Sequence, residues 1–173
     1  KTEDYILFDK NSDILEINGQ IVIDGDLKFK GKGSQKAIYY TGKGAILVKG
    51  GVQIDSHLIT INNGDKADFE NSFPIENALG IMAVKDIKFG SSLLDLLFKS
   101  DLYVMGAFYA GEKVTSLKTA NVAGTLVSNY FDLTLSPPAV YEVPVLQQNL
   151  PEGMVGDYPI IAIAQVSWRE LGI

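Results

Sequence analysis

A motif recurs through most of this chain: an apolar triplet, a polar or glycine-rich turn, then an apolar-polar-apolar triplet. It begins at Ile21 (IVIDGDLKFKG), Ile46 (ILVKGGVQIDS), Ile81 (IMAVKDIKFGS) and Phe108 (FYAGEKVTSLK), with a weaker copy at Leu126 (LVSNYFDLTLS). Short alternating segments are the mark of half-buried strands. Pairs such as Asn18-Gly19 and Asp24-Gly25 supply positive φ where the chain must turn sharply. Such turns also suit successive hairpins. Imperfect repetition at intervals of about 20–50 residues instead points to a solenoid or array. One rung of two or three short strands cannot bury its inward side chains alone. A second rung about 4.8 Å away pairs the backbone and aligns the apolar residues into columns.

The expected fold is therefore all-β: a right-handed parallel β-solenoid of about five rungs, the handedness following the general rule for parallel crossovers. Ile21, Ile23, Leu27 and Phe29 should lie above Ile46, Val48, Val52 and Ile54. Those in turn should lie near Ile81, Ala83, Ile87 and Phe89. The 173 residues form a single domain, with rungs over 1–135 and an extended C-terminal segment over 136–173. The stretches Leu58 to Ala78 and Ser91 to Val104 should bulge out as loops. The second should hold one short helix, Leu93 to Lys99, with Ser92 as its N-cap. Five of the six prolines follow Leu135. They exclude regular interior strand at those points, so the segment should drape over the outside. Pro159 to Trp168 reads as a final strand able to cover an open edge.

Composition narrows the chemistry. Lys plus Arg is 15 against 21 for Asp plus Glu, a net charge of −6. That argues against a diffuse grip on nucleic acid, which needs a basic surface to displace counterions. A DNA-binding face would require Lys28, Lys30, Lys32, Lys36, Lys43 and Lys49 to gather; only Lys28 and Lys30 visibly share strand parity. Cysteine is absent and His57 is the only histidine. No disulfide, thiolate nucleophile or zinc site is expected. In Asp55-Ser56-His57 adjacent strand residues point to opposite faces, so the tripeptide is not a triad and His57 reads as a polar turn residue. Asp24 and Asp26 are the obvious carboxylate pair, and turn formation explains them better than calcium or acid/base work. Gly31-Lys32-Gly33-Ser34 and Gly42-Lys43-Gly44 lack the spacing of a phosphate loop and read as turns between rungs. No catalytic residue, metal ligand or cofactor site is expected. Aromatic residues are the remaining signal. In Tyr39-Tyr40, Phe108-Tyr109 and Tyr130-Phe131 one ring should face in and one out. Tyr40, Tyr109 and Tyr130 are the candidate sugar-stacking residues.

The order of these segments, with NLPEGM and the terminal SWREL, resembles the type IV pilus assembly PilX-like family of exported bacterial proteins. The likeness runs from about Ile14 to Leu171. More distant neighbours are minor pilins with β-solenoid heads and tāpirins, β-helical cellulose-binding adhesins. The resemblance implies a hydrophobic N-terminal pilin helix ahead of the solenoid. It also implies an extracytoplasmic, periplasmic or cell-surface location and a non-enzymatic role. No stretch here approaches 18 consecutive apolar residues, and the chain opens at Lys1 without Met. A membrane anchor is accordingly expected upstream. The expected function is a structural or adhesive module of a pilus-associated or surface-anchored protein, with pilus subunits or surface polysaccharide as partners. The alternatives are a carbohydrate-binding adhesin and a polysaccharide-processing β-helix enzyme.

Overall fold

The structure, a computed structural model, describes residues 3–31, 37–61, 72–91, 101–132 and 135–154. It is mostly strand, with a single turn of 3-10 helix at Pro144–Gln148 and an irregular turn at Ser72–Glu76 containing a cis Phe73–Pro74 peptide. The strands are β1 (Tyr5–Asp9), β2 (Ile14–Ile23), β3 (Leu27–Phe29), β4 (Ala37–Val48), β5 (Val52–Ile54) and β6 (His57–Thr60). They continue as β7 (Ala78–Ala83), β8 (Ile87–Phe89), β9 (Asp101–Ser116), β10 (Thr119–Asp132) and β11 (Ala139–Tyr141). All belong to one sheet. No helix among the described residues is long and apolar enough to cross a membrane.

Repetition in sequence becomes repetition in space. The first residue of each repeat falls into register: Ile21, Ile46, Ile81, Phe108 and Leu126 are successive parallel partners across β2, β4, β7, β9 and β10. Leu27, Val52, Ile87, Val114 and Phe131 form a second column. Phe29, Ile54, Phe89 and Ser116 form a third. The pairings read from the repeats hold at every position named above. A register shift between Ser128 and Tyr130 shortens the last copy, which is why that copy looks weaker in sequence. Central members are fully buried, while Ile21, Leu27, Leu126 and Phe131 at the two ends are half-buried. Phe89 and Phe108 meet edge-to-face at 6.3 Å between centroids, a geometry that adds about 0.5–1.5 kcal/mol to the burial itself.

Corners complete the ladder. Gly50 N–H donates to the Gly25 carbonyl, Lys85 N–H to Gly50 and Glu112 N–H to Lys85, so hydrogen bonding continues through the turns. At another corner the long strands bend at glycine. Gly106 (φ 143°) and Gly124 (φ 134°) are register partners, and a Cβ on either would strike a carbonyl oxygen of the preceding rung, Leu79 and Gly106 respectively.

Several expectations need correction. The sheet is mixed, because β1 pairs antiparallel with β2 as a true hairpin over the first rung. The loops are narrower than expected: β6 carries strand structure to Thr60, and β9 already begins at Asp101. His57 opens strand β6 and is not a turn residue. Gly42-Lys43-Gly44 lies inside β4 and not between rungs. Residues 93–99, expected as the helix, and 159–168, expected as a final strand, lie outside the described residues, as do Lys32 and Lys36. The Pro-rich segment includes a short strand, β11, parallel to β10. Beyond it Leu146 and Met154 are buried, and Met154 seats beside Gly80 and Leu146 beside Gly124. This segment covers the small outward residues Ala45, Gly80 and Ala107, which strand parity would otherwise leave in solvent.

Candidate functional site

The three tyrosines singled out by sequence go to three different environments. Tyr40 is 0% exposed, and its hydroxyl donates to the Met105 carbonyl at 3.2 Å. Burial pushes its phenol well above the ordinary value. Tyr40 is thus a core residue and leaves the candidate set. Ile38 and Tyr40 share inward parity, so the outward ring of the pair is Tyr39. Tyr109 and Tyr130 are 36% and 59% exposed, while Phe108 is buried and Phe131 half-buried beside them. One ring of each pair faces in and one out, as strand parity requires.

Tyr109 and Tyr130 do not form a shared strip. Tyr109 is in register with Met82 and Val127, and Met82 with Leu47 and then Val22. These five side chains make an outward apolar column along the wall, on the order of 19 Å long at strand spacing. Four are exposed and Met82 is half-buried. Tyr130 is instead the partner of Lys113 at the turn. The exposed Tyr39 and Tyr103 lie earlier on β4 and β9, outside this column, and Tyr141 lies on β11. A continuous aromatic platform is not what these positions make; the aligned column is aliphatic apart from Tyr109. The sequence carried the signal in the middle residues of IVI, ILV, IMA, FYA and LVS. A strand with one wet face would place polar residues there.

A second cluster lies where β3, β5, β8 and β9 end. Lys118 Nζ sits 3.1 Å from Asp55 Oδ1, with side-chain exposures of only 12% and 10%, and also donates to the Asp55 backbone carbonyl at 2.7 Å. Ser91 Oγ donates to Asp55 Oδ2 at 2.8 Å. Burial alone would raise the Asp55 carboxyl, but the Ser91 and Lys118 hydrogen bonds and the Lys118 and Lys28 charges hold it below the ordinary value. Ser56 Oγ accepts the Gly31 N–H at 2.6 Å. His57 Nδ1 accepts the Tyr103 N–H at 3.0 Å, with the two rings 5.3 Å apart. Burial first, then the Lys118 charge, lower the imidazole against an opposing pull from Asp101. Ser56 bonds back to Gly31, while Asp55 bonds onward to Ser91 and Lys118 and His57 to Tyr103, so they brace the stack and do not converge on a reacting atom.

The carboxylates of the first turn are also engaged. Asp26 Oδ1 accepts the Gly51 N–H at 2.8 Å, and Asp24 meets Lys49 at 3.3 Å in solvent. Within β4, Lys43 Nζ donates to Asn149 Oδ1 of the Pro-rich segment at 3.4 Å. Among the described residues no group of three acidic or histidine side chains is arranged to hold a metal ion.

No protein-family model, curated protein or solved structure matches the chain.

Proposed function

We propose that this chain is a right-handed parallel β-solenoid serving as a non-enzymatic, extracytoplasmic structural or adhesive module. Its parent would be a pilus-associated or surface-anchored protein like the PilX-like family it resembles. The observation that carries this reading is the in-register parallel run from Ile21 through Leu126. A stack in which every rung hydrogen-bonds to the next is a stiff body, and its stability approximates a sum of neighbour terms. The side chains best suited by type to catalysis, Asp55 and His57, are taken up by contacts between rungs.

A carbohydrate-binding adhesin is the second reading, favoured by the exposed rings of Tyr109 and Tyr130. The third, a polysaccharide-processing enzyme, would need Asp24 and Asp26 at work in a cleft, and both are tied into a turn.

Fractionation of the producing cell tests the proposal. The parent protein is expected in the surface or sheared-pilus fraction, and recovery with the cytosol would overturn it. Pull-downs on cellulose, pectin and peptidoglycan, run beside pilus fractions, separate adhesion to sugar from attachment to pili. Release of reducing ends from a polysaccharide, abolished by Asp24→Asn or Asp26→Asn, would refute the non-enzymatic part.

A further inference from the structure

An open groove of about 470 Å³ runs along the outer side of β3, β5 and β8, next to the turn that precedes them. Its shape follows from the repeat. The turn carries Gly50 and Gly51 in the second rung where the third has Lys85 and Asp86, so side chains wall the groove at one rung and are missing at the next. Val52 and Gly51 contribute to its lining. Along its length Lys28, Gln53 and Lys88 are successive register partners, all pointing outward. The two ammonium groups stem from strands two steps apart, about 10 Å at strand spacing. Lys85 and Asp86 add a third cation and a carboxylate from the turn, and Asp26 adds a second carboxylate at the first rung. Lys28, Lys85 and Lys88 are exposed, and among the described residues none of them is in an ion pair.

We infer that this groove is a binding strip for a carboxylated polysaccharide, a polyuronate-type chain lying along the stack axis. Lys28 and Lys88 can each meet a separate carboxylate along such a polymer, and ammonium–carboxylate hydrogen bonds are among the stronger polar contacts. Asp86 and the Gln53 carbonyl offer acceptors to sugar hydroxyls between them. A uronate chain carries free hydroxyls on every residue for these acceptors, whereas the backbone of single-stranded DNA carries none. Among the described residues no aromatic ring lines the groove, so a neutral glycan would lack a stacking surface there. This inference deepens the adhesive reading and rests on it only for access to the ligand.

The test is calorimetric titration of the whole chain with polygalacturonate, its methyl ester and single-stranded DNA. Polygalacturonate is expected to bind, with affinity falling as salt rises. The methyl ester should bind about tenfold or more weakly, as lost charge-assisted contacts imply. The double variant Lys28→Gln/Lys88→Gln should lose a similar factor while keeping the parent's circular dichroism spectrum, since both side chains are exposed. Gly51→Leu should also weaken binding by filling the groove: its φ is not left-handed, and an added Cβ meets the Asp86 carbonyl oxygen only at 3.4 Å. Lys49→Gln, at a residue not among those lining the groove, should bind as the parent does. No binding of polygalacturonate, equal binding by the double variant, or tighter binding of DNA would each overturn the inference. A chain that sits at the surface yet ignores polygalacturonate fails here alone; a cytosolic chain fails the broader reading.

Discussion

Two corners of the stack turn the chain by opposite means. At the glycine corner, Gly19 pairs with Gly44 and Gly106 with Gly124, and adjacent rungs approach so closely that no Cβ fits at Gly106 or Gly124. At the polar corner, Asp55, Ser91 and Lys118 from three successive rungs join through side chains in a nearly dry site. The first corner works by leaving atoms out and contains no titratable group in its column. The second works by satisfying charges, and a buried ion pair is dependable only while both partners remain. The same geometric task thus yields one corner sensitive to volume and another sensitive to charge.

Substitution at the glycine corner should have the largest effect. Gly106→Ala adds backbone strain of about 1–3 kcal/mol to overpacking of about 1–3 kcal/mol against the neighbouring carbonyl. Urea unfolding should report the loss, and a variant as stable as the parent would remove the close-packed corner from the account. Asp55→Ala comes next, at about 3–5 kcal/mol, because it strands the Lys118 ammonium in a buried site. The paired replacement Asp55→Leu/Lys118→Met should recover much of that loss, and a thermal melt of the three proteins decides it.

Acid should separate the corners without mutation. The His57 imidazole is held below its ordinary value in the folded chain, so the unfolded chain binds the extra proton first. Stability is full above the unfolded value of about 6.5 and falls as pH drops from there through the folded value. Asp55 is also held low, so its contribution is present above about 3.9 and disappears as pH falls through its folded value. A melting temperature followed from pH 8 to pH 3 should therefore decline in two stages, and His57→Gln should flatten the first. The smallest effect belongs to Lys49→Gln. Its partner Asp24 is 84% exposed, and such surface pairs are worth about 0–1 kcal/mol.

How much of this was legible in sequence follows from the range of each interaction. Ile21, Ile46, Ile81 and Phe108 could be aligned by eye because each repeats the same inward pattern next to the same kind of turn. The bends at Gly42 and Gly44 were harder: a glycine that bends a strand and a glycine that ends one look alike without the neighbouring rung. Tyr39 and Tyr40 follow Ile38 in a run with no polar residue to mark the wet face, so parity was ambiguous. Strand β1 has no counterpart among the repeats. The Asp55–Lys118 contact joins residues 63 apart, and nothing local in either segment announces the other. The groove was hidden for a related reason, since Lys28 and Lys88 become neighbours only once Gln53 is slotted between them.

Everything in this fold depends on rungs lying parallel, and spin-label distances measure that arrangement. The chain has no cysteine of its own, so label pairs at Val22 with Met82, Tyr109 or Val127 report only the positions chosen. Parallel rungs require distances that lengthen in that order, by about 4.8 Å per rung, to roughly 19 Å for Val22 with Val127. Distances that fail to grow with rung number, as hairpins folded face to face would produce, would contradict that arrangement.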